Sequence, residues 1–402
     1  MTTTELTLTP QQQILWSLDT VRERAAQVLD RARANTLIAY HFDESRIDAV
    51  VDTVLETTAS RYPDGAIPPH SRWRHFEVGD INRWGQLPLP PDTLEQARIA
   101  TELTVLSVLL DAGAGSAWRY VEAGTGLQLA RSEGLGVASM HWYASGAASA
   151  NSANPLRADA EKLKALSYEQ LCDAMQVSAA NPLVGATERL ALVNALGAEV
   201  ARNSVVFPDA RLGALFDHVC QDNEVDVADA FKVLLQSLAG IWPSRGSGDN
   251  FGDVWPYPGI DGATGTEDLV PFHKLTQWMT YSLVEAWRKH GMRIRNEAAL
   301  TALAEYRNGG LLIDMSVLVP RDPDFADTEF APGDPAVVEM RAMTVAVIDI
   351  IASLLRKRTN NPDLTLAQVL EGGTWGAGRV IAARLRADQS PPIRYIADGT
   401  LF

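Results

Sequence analysis

This chain starts helices far more often than it starts strands. Thr9-Pro10-Gln11-Gln12 supplies an N-cap threonine, a proline at the first helical position and a glutamine three residues past the cap. Cap and glutamine can then satisfy each other's end of the first turn. Ile14, Leu15, Leu18, Val21, Ala25, Val28 and Leu29 follow at helical spacing. Asp92 with Glu95, Ser167 with Gln170 and Thr365 with Gln368 repeat the start signal. The helix opened by Asp92 runs through Leu103, Leu106 and Leu110 and ends near Asp111-Ala112-Gly113-Ala114-Gly115. Spacing also predicts helices over 187–202, 226–239, 270–290, 296–306 and 336–357. Strand signals are few. Leu311 to Pro320 reads as a strand, or as a helix end followed by an extended piece, and Val205-Val206-Phe207 is short. The expected fold is mostly α, with a single helical domain over 1–402, little strand and long covering loops.

Those loops are specific. Residues 61–91 hold six prolines and the aromatic-basic run Ser71-Arg72-Trp73-Arg74-His75-Phe76-Glu77. Residues 242–266 hold six glycines and three prolines, with Trp242, Phe251, Trp255 and Tyr257 among them. Loops of that length in a compact domain are commonly functional.

Composition removes several classes of function. A formal net charge of −15 argues against a nucleic-acid duplex as partner, because phosphate contacts need a basic face. A local basic pocket for one phosphate is still allowed. Two cysteines, Cys172 and Cys220, are too few for a disulfide framework and suit a reducing compartment. The first residues carry neither a basic nor an apolar signal region, and no apolar run reaches the roughly 18 residues of a membrane span. A cytoplasmic protein is expected, with no membrane partner. Oligomeric state is not legible.

Three charged, aromatic-flanked clusters interrupt the apolar pattern between 270 and 345. They are Phe272-His273-Lys274, Glu305-Tyr306-Arg307 and Glu339-Met340-Arg341. Charges are almost never buried without partners, so each cluster sits at a surface, forms buried ion pairs or lines a shared polar site. Lys274 is placed at a helix N-terminus, where backbone N–H groups bind anions. Arg307 suits the end of the helix predicted over 296–306, whereas Glu305 has no such reason to be there. Asp111 likewise faces the negative end of its helix, a local conflict of the kind that marks sites. Metal signatures are absent. Asp217-His218-Val219-Cys220 holds metal-ligand residue types but sits at helical spacing beside Leu212 and Phe216, so a structural role is expected and no metal or cofactor is implied.

The sequence resembles the uracil-catabolism proteins of fungi and bacteria, the fourth protein of their ribosylurea branch. The matching pieces include Leu109 to Gly115, Arg131-Ser132-Glu133-Gly134-Leu135, Tyr257 to Asp261, Pro271 to Trp278, Leu300 to Gly310 and Gly372 to Arg379. More distantly, Phe272 to Gln277, Leu300 to Arg307 and Val338 to Ala342 are similar to segments of the queuosine salvage proteins. Those are nucleotide N-glycosidases with a helical fold similar to DNA glycosylases. The resemblance matches Glu305 to the acid of that family's Asp-Tyr-Arg motif, with Tyr306 and Arg307 unchanged, and matches Lys274, Gln277, Glu339 and Arg341. His273, Leu275, Thr276 and the longer Glu305 depart from the pattern.

Cleaving an N-glycosidic bond develops positive charge on the sugar, so a carboxylate near the anomeric carbon stabilises the transition state. Fixed cations hold a phosphate and position the sugar. The expectation is a hydrolase of a small, phosphorylated N-riboside, ribosylurea or its 5′-phosphate. Glu305 is the expected principal carboxylate and Asp111 the second. Tyr306 and Asp261 contact sugar or leaving group, while Lys274, Arg307 and Arg341 hold the phosphate. Glu339 joins the binding set through the resemblance, and Tyr257, His273 and Trp375 supply walls. Two rivals stand beside this reading, a ureide amidohydrolase and a non-enzymatic sensor of a pyrimidine breakdown product.

Overall fold

The computed structural model describes residues 8–242 and 250–396. Helices account for about 52% of it, and the strands are short, so the fold is mostly α. Four helices form the centre. Thr93–Leu109 packs against Lys274–Lys289, and Pro335–Arg358 packs against Leu18–Arg33. Ala97 and every residue from Ile99 to Leu109 are buried, as is every residue from Thr276 to Trp287. Thr93–Leu109 shows no polar stripe, as expected of a helix inside a protein, whereas Lys274–Lys289 also buries Gln277, Tyr281 and Glu285, each with a hydrogen-bonding or ionic partner. Burying one such leucine or valine contributes about 1.5–3 kcal/mol. The apolar cluster is continuous from Leu15 to Ile393. No helix among the described residues is long and apolar enough to cross a membrane.

The described strands form only two-stranded pairs. Tyr40–Phe42 lies antiparallel to Leu318–Pro320, and Val254–Pro256 to Leu269–Pro271. The second pair ties the glycine-rich loop to the start of the Lys274–Lys289 helix. Residues 243–249 of that loop lie outside the described residues.

The capping boxes at Thr9/Gln12, Ser167/Gln170 and Thr365/Gln368 form as the sequence predicts. At Asp92 only half of one forms. Asp92 caps through Leu94 N, but Glu95 turns away to Arg98 and Arg211. Val205 and Val206 lie in a turn, not a strand. The Leu311 to Pro320 segment is a helix end followed by an extended piece.

The main departure is the helix predicted over 296–306. Only Glu297–Ala299 makes a single 3-10 turn, Leu300 to Ala304 is non-helical, and the next helix is Tyr306–Asp314. Side chains from elsewhere take the backbone bonds that a helix would have used. Arg22 donates to the carbonyls of Ala299 and Leu300, both at 2.6 Å. Gln277 accepts from Thr301 N at 2.8 Å, and Tyr281 Oη donates to Thr301 O at 3.0 Å. Arg341 Nε donates to Ala304 O at 3.0 Å. Glu305 therefore stands at the N-terminus of a helix rather than at the end of one.

Candidate active site

A cavity of about 290 Å³ opens where four segments meet: the loop after Thr93–Leu109, and the N-termini of Arg131–Ala144, Lys274–Lys289 and Tyr306–Asp314. Trp375 and Arg379, from the helix Trp375–Leu385, close one wall. Of the residues predicted from sequence, this cavity brings together Glu305, Asp111, Lys274, Tyr306, Arg307 and Trp375.

Glu305 is the N-cap of its helix. Its Oε2 accepts from Arg307 N and its Oε1 from Asn308 N, both at 2.6 Å. Both oxygens are thereby fixed, and a carboxylate here complements the positive end of the helix dipole. Burial raises its pKa above the ordinary 4.5, against the pull of these N–H groups and of Lys274. Lys274 shows the reverse effect. Burial lowers it from 10.5, while the charges of Glu305 and Asp111 work to keep it protonated. Its Nζ has no hydrogen-bond or ion-pair partner among the described residues, and it is aimed at a cavity that contains both acids.

The loop carrying Asp111 is held by two buried arginines. Arg72 Nη1 lies 2.9 Å from Asp111 Oδ1, and Arg72 is itself anchored to Ser107 Oγ at 2.7 Å and Ser132 O at 3.1 Å. Arg189 donates to the carbonyls of Leu110, Ala112 and Gly113 at 2.9, 2.8 and 3.1 Å. Arg72 resolves the conflict of an acid at a helix C-terminus, because the cation offsets the dipole. Gly115 has φ +83, and a Cβ there would lie 2.7 Å from Val184, so the loop needs glycine at that turn.

Arg307 stacks over the Tyr306 ring at 5.1 Å and donates to Gln389 O at 3.0 Å. Its backbone touches the Trp375–Leu385 helix at Gly378, where a Cβ would lie 2.3 Å from Arg307 O. That close approach sets Trp375 and Arg379 beside Arg307. Arg379 reaches Glu133 at 3.3 Å and lies 4.8 Å over the Trp375 ring.

Five predicted residues do not line this cavity. Arg341 is fully buried and donates to both oxygens of Asp253. Glu339 receives Ala39 N at 2.9 Å and Tyr257 Oη at 2.6 Å, with Ile38 N on the same carboxylate. Tyr257 is buried with it. Glu339 and Arg341 therefore do not pair with each other; each binds a distant partner. His273 is buried at the left-handed N-cap of its helix, φ 48, with Nε2 2.8 Å from Leu15 O. Asp261 is exposed, and its backbone bonds to Gln27.

The cavity also contains residues that sequence reasoning missed, chiefly His70, His75, Arg131, Glu133 and Arg379. His75 is pushed down to about 4, by burial first and by the Arg72 charge next. Faint signals existed. His75 lies in the aromatic-basic run of a proline-rich loop, and Arg131, Glu133 and Arg379 lie in the segments that carry the family resemblance. Asp217, by contrast, pairs with Arg98 at 2.7 Å, and Cys220 packs on Met292. Among the described residues no group of three or more His, Cys, Asp or Glu is arranged to hold a metal ion.

Fold and site together define a helical protein with a small, charge-lined cavity. Comparison with known proteins places it further. Residues 14–402 match the family described as "Protein of unknown function (DUF1688)", and the chain belongs to that family. It is 38% identical to "Protein urg3" of Schizosaccharomyces pombe, covering 96% of this chain and 98% of that protein. It is 36% identical to "Uracil catabolism protein 4" of Lachancea kluyveri, again covering 96% of this chain and 98% of the relative.

Proposed function

We propose that this protein acts in pyrimidine catabolism as a hydrolase of the N-glycosidic bond of a small, phosphorylated riboside, ribosylurea 5′-phosphate or a close analogue. The name of the Lachancea kluyveri relative supports the pathway. The observation that carries the chemistry is one cavity in which a fixed carboxylate, Glu305, faces an unpartnered Lys274 beside Asp111 and Arg307. About 290 Å³ falls just under the usual range of small-molecule sites, roughly 300–1,000 Å³, and suits a compact polar substrate.

In this reading the anomeric carbon sits against Glu305. As the C1′–N bond lengthens, positive charge grows on the sugar, and an already oriented carboxylate stabilises it without reorganising. Asp111, held by Arg72, orients the attacking water. Lys274 and Arg307 hold the phosphate, and the remote binding energy positions the sugar for reaction. Tyr306 contacts the ribose, and Trp375 covers the planar ureido group. Arg341, committed to Asp253, is left out of the phosphate site.

The test is incubation of the purified protein with synthetic ribosylurea, with and without a 5′-phosphate, following products by mass. Urea and ribose phosphate are expected. Ammonia as the first product would replace this reading with an amidohydrolase. Tight binding without turnover would replace it with a sensor.

A further inference from the structure

We infer that His70, held by Glu371, is the acid that protonates the leaving group, an inference that rests on the N-glycosidase reading above. Neither residue belongs to the three charged clusters. His70 is buried in the proline-rich loop yet lines the cavity. Its Nδ1 lies 2.7 Å from Glu371 Oε2. Glu371 Oε1 receives Arg61 Nη2 and Tyr62 Oη, both at 2.8 Å. Nε2 of His70 has no protein partner among the described residues, so the ring presents one free nitrogen to the cavity.

The backbone is built to aim this pair. Glu371 sits in the π-helical turn Leu370–Thr374, and such turns are rare and concentrate at functional sites. The turn is pressed against Ile47–Arg61 through glycine: a Cβ on Gly373 would lie 2.2 Å from Val54. The turn leads directly into Trp375, whose ring centre is 5.8 Å from that of His70, and Trp278 is 4.7 Å away on another side. His70 N donates to Ala367 O at 3.0 Å, which ties its loop to the same helical segment. A carboxylate on Nδ1 fixes tautomer and orientation and stabilises the imidazolium. Burial works against the charge on Glu371, but the bond and charge of His70, with Arg61 and Tyr62, hold it down to about 2, so it remains a carboxylate.

The ureido nitrogen is a poor leaving group unless it receives a proton. In the proposed step the C1′–N bond breaks and its electron pair goes to the departing nitrogen. The His70 Nε2 proton passes to the ureido group, which leaves as neutral urea. Water forms the new C1′–O bond and gives up one proton to a cavity carboxylate, from which it returns to His70 through solvent. One water is consumed, and nothing is oxidised or reduced. The titratable groups around His70 are Glu371, backed by Arg61, on the Nδ1 side, and Lys274, Glu305, Asp111, His75, Arg131, Glu133, Arg307, Arg379 and Asp388 around the cavity.

Two substrates decide the matter: ribosylurea 5′-phosphate, which needs the proton, and 4-nitrophenyl riboside 5′-phosphate, whose phenolate departs without one. His70→Gln should lower kcat/KM for the ureido substrate about 10²–10⁴-fold and leave the nitrophenyl substrate within a few-fold. Glu371→Gln should likewise lower kcat/KM for the ureido substrate and largely spare the nitrophenyl substrate, because the carboxylate that orients the imidazole is lost. Equal losses on both substrates, or no loss on either, would overturn the assignment. If His70→Gln does not fold, equal effects of Glu371→Gln on both substrates overturn it instead. Failure of the wild-type protein on both substrates would sink the N-glycosidase reading itself, a different outcome from loss in the variants alone.

Discussion

Arg341 and Asp253 form a closed pair in the interior: Nη1 meets Oδ1 at 2.7 Å and Nη2 meets Oδ2 at 2.6 Å. The guanidinium also lies 4.1 Å over the Phe272 ring. Burial alone would raise the Asp253 pKa, but the Arg341 charge outweighs it and holds the acid well below the usual carboxylate range. Asp253 Oδ2 in turn accepts Lys274 N at 3.0 Å. The pair thus supports the first turn of the helix whose lysine faces the cavity, and it acts through position. Arg341→Met strands a buried carboxylate and should cost about 3–5 kcal/mol of stability. Adding Asp253→Asn should recover part of that loss. Denaturant midpoints of the two variants check this. A stable Arg341→Met protein that has lost affinity only for phosphorylated substrates would return Arg341 to the ligand.

Gly378 offers a cleaner test of how the site is assembled. An alanine there would drive its Cβ into the Arg307 carbonyl, a backbone atom that cannot swing aside. Gly378→Ala should destabilise by about 1–3 kcal/mol and lower activity by separating Arg307 from Trp375 and Arg379. Gly113→Ala, where nothing lies within 4 Å, should leave the melting temperature unchanged. Equal stability of both proteins would mean that the close approach is not needed.

How far the sequence could be read depends on where each residue's partner lies. Thr9 with Gln12 and Thr365 with Gln368 were legible because both halves of each cap lie within four residues. Glu305 was assigned to the wrong end of a helix because Leu300 to Ala304 has helical spacing. The residues that pull it straight, Arg22, Gln277, Tyr281 and Arg341, come from three other helices. Glu339 and Arg341 are assigned to the site by the resemblance alone, and their own segment does not show what they bind. Their partners, Tyr257 and Asp253, lie 82 and 88 residues away. His70 and Glu371 are 301 residues apart, so no local pattern joins them. Three of the convergent groups, Asp111, Lys274 and Glu305, were legible as charges in apolar surroundings with no local reason to be there.

Acid should weaken the fold in a defined window. Arg83 binds Glu122 through Nε and Nη2, both at 2.6 Å, and this bond holds Glu122 down to about 2. The unfolded chain releases the same proton near the ordinary 4.5. A lowered folded pKa contributes stability that is fully present above about 4.5 and is lost as pH falls through about 2. The cluster is only partly shielded, since His141 beside it is half exposed, so a contribution on the order of 2 kcal/mol is expected after screening. Glu122→Gln should flatten that part of the stability curve. An unchanged slope between pH 5 and pH 2 would remove the pair from the acid transition.

Lys274 should read the phosphate rather than the sugar. Lys274→Met keeps the length of the side chain and removes the charge. A hydrogen bond to a charged group is worth about 1.5–3 kcal/mol, so affinity for the 5′-phosphorylated substrate should fall about 10- to 100-fold. The unphosphorylated riboside should be affected several-fold at most. Competition by inorganic phosphate should weaken in parallel. Equal losses on both substrates would place Lys274 at the sugar instead.

Glu305 carries the heaviest expectation. Glu305→Gln keeps one oxygen for the cap but turns an amide toward a backbone N–H, at a cost of about 1 kcal/mol as for other lost caps. The protein should therefore fold, while kcat falls at least about 10²–10³-fold as the sugar cation loses its counter-charge. Glu305→Asp keeps the charge and a good cap but draws the carboxylate back by one C–C bond. Its activity should lie between wild type and Glu305→Gln. Because burial raises the Glu305 pKa above 4.5, the acid limb of kcat/KM should lie above that value and disappear from the residual activity of Glu305→Gln. A fully active Glu305→Gln protein with the same acid limb would mean that the fixed carboxylate serves only its helix, and the cation-stabilising role would have to pass to Asp111.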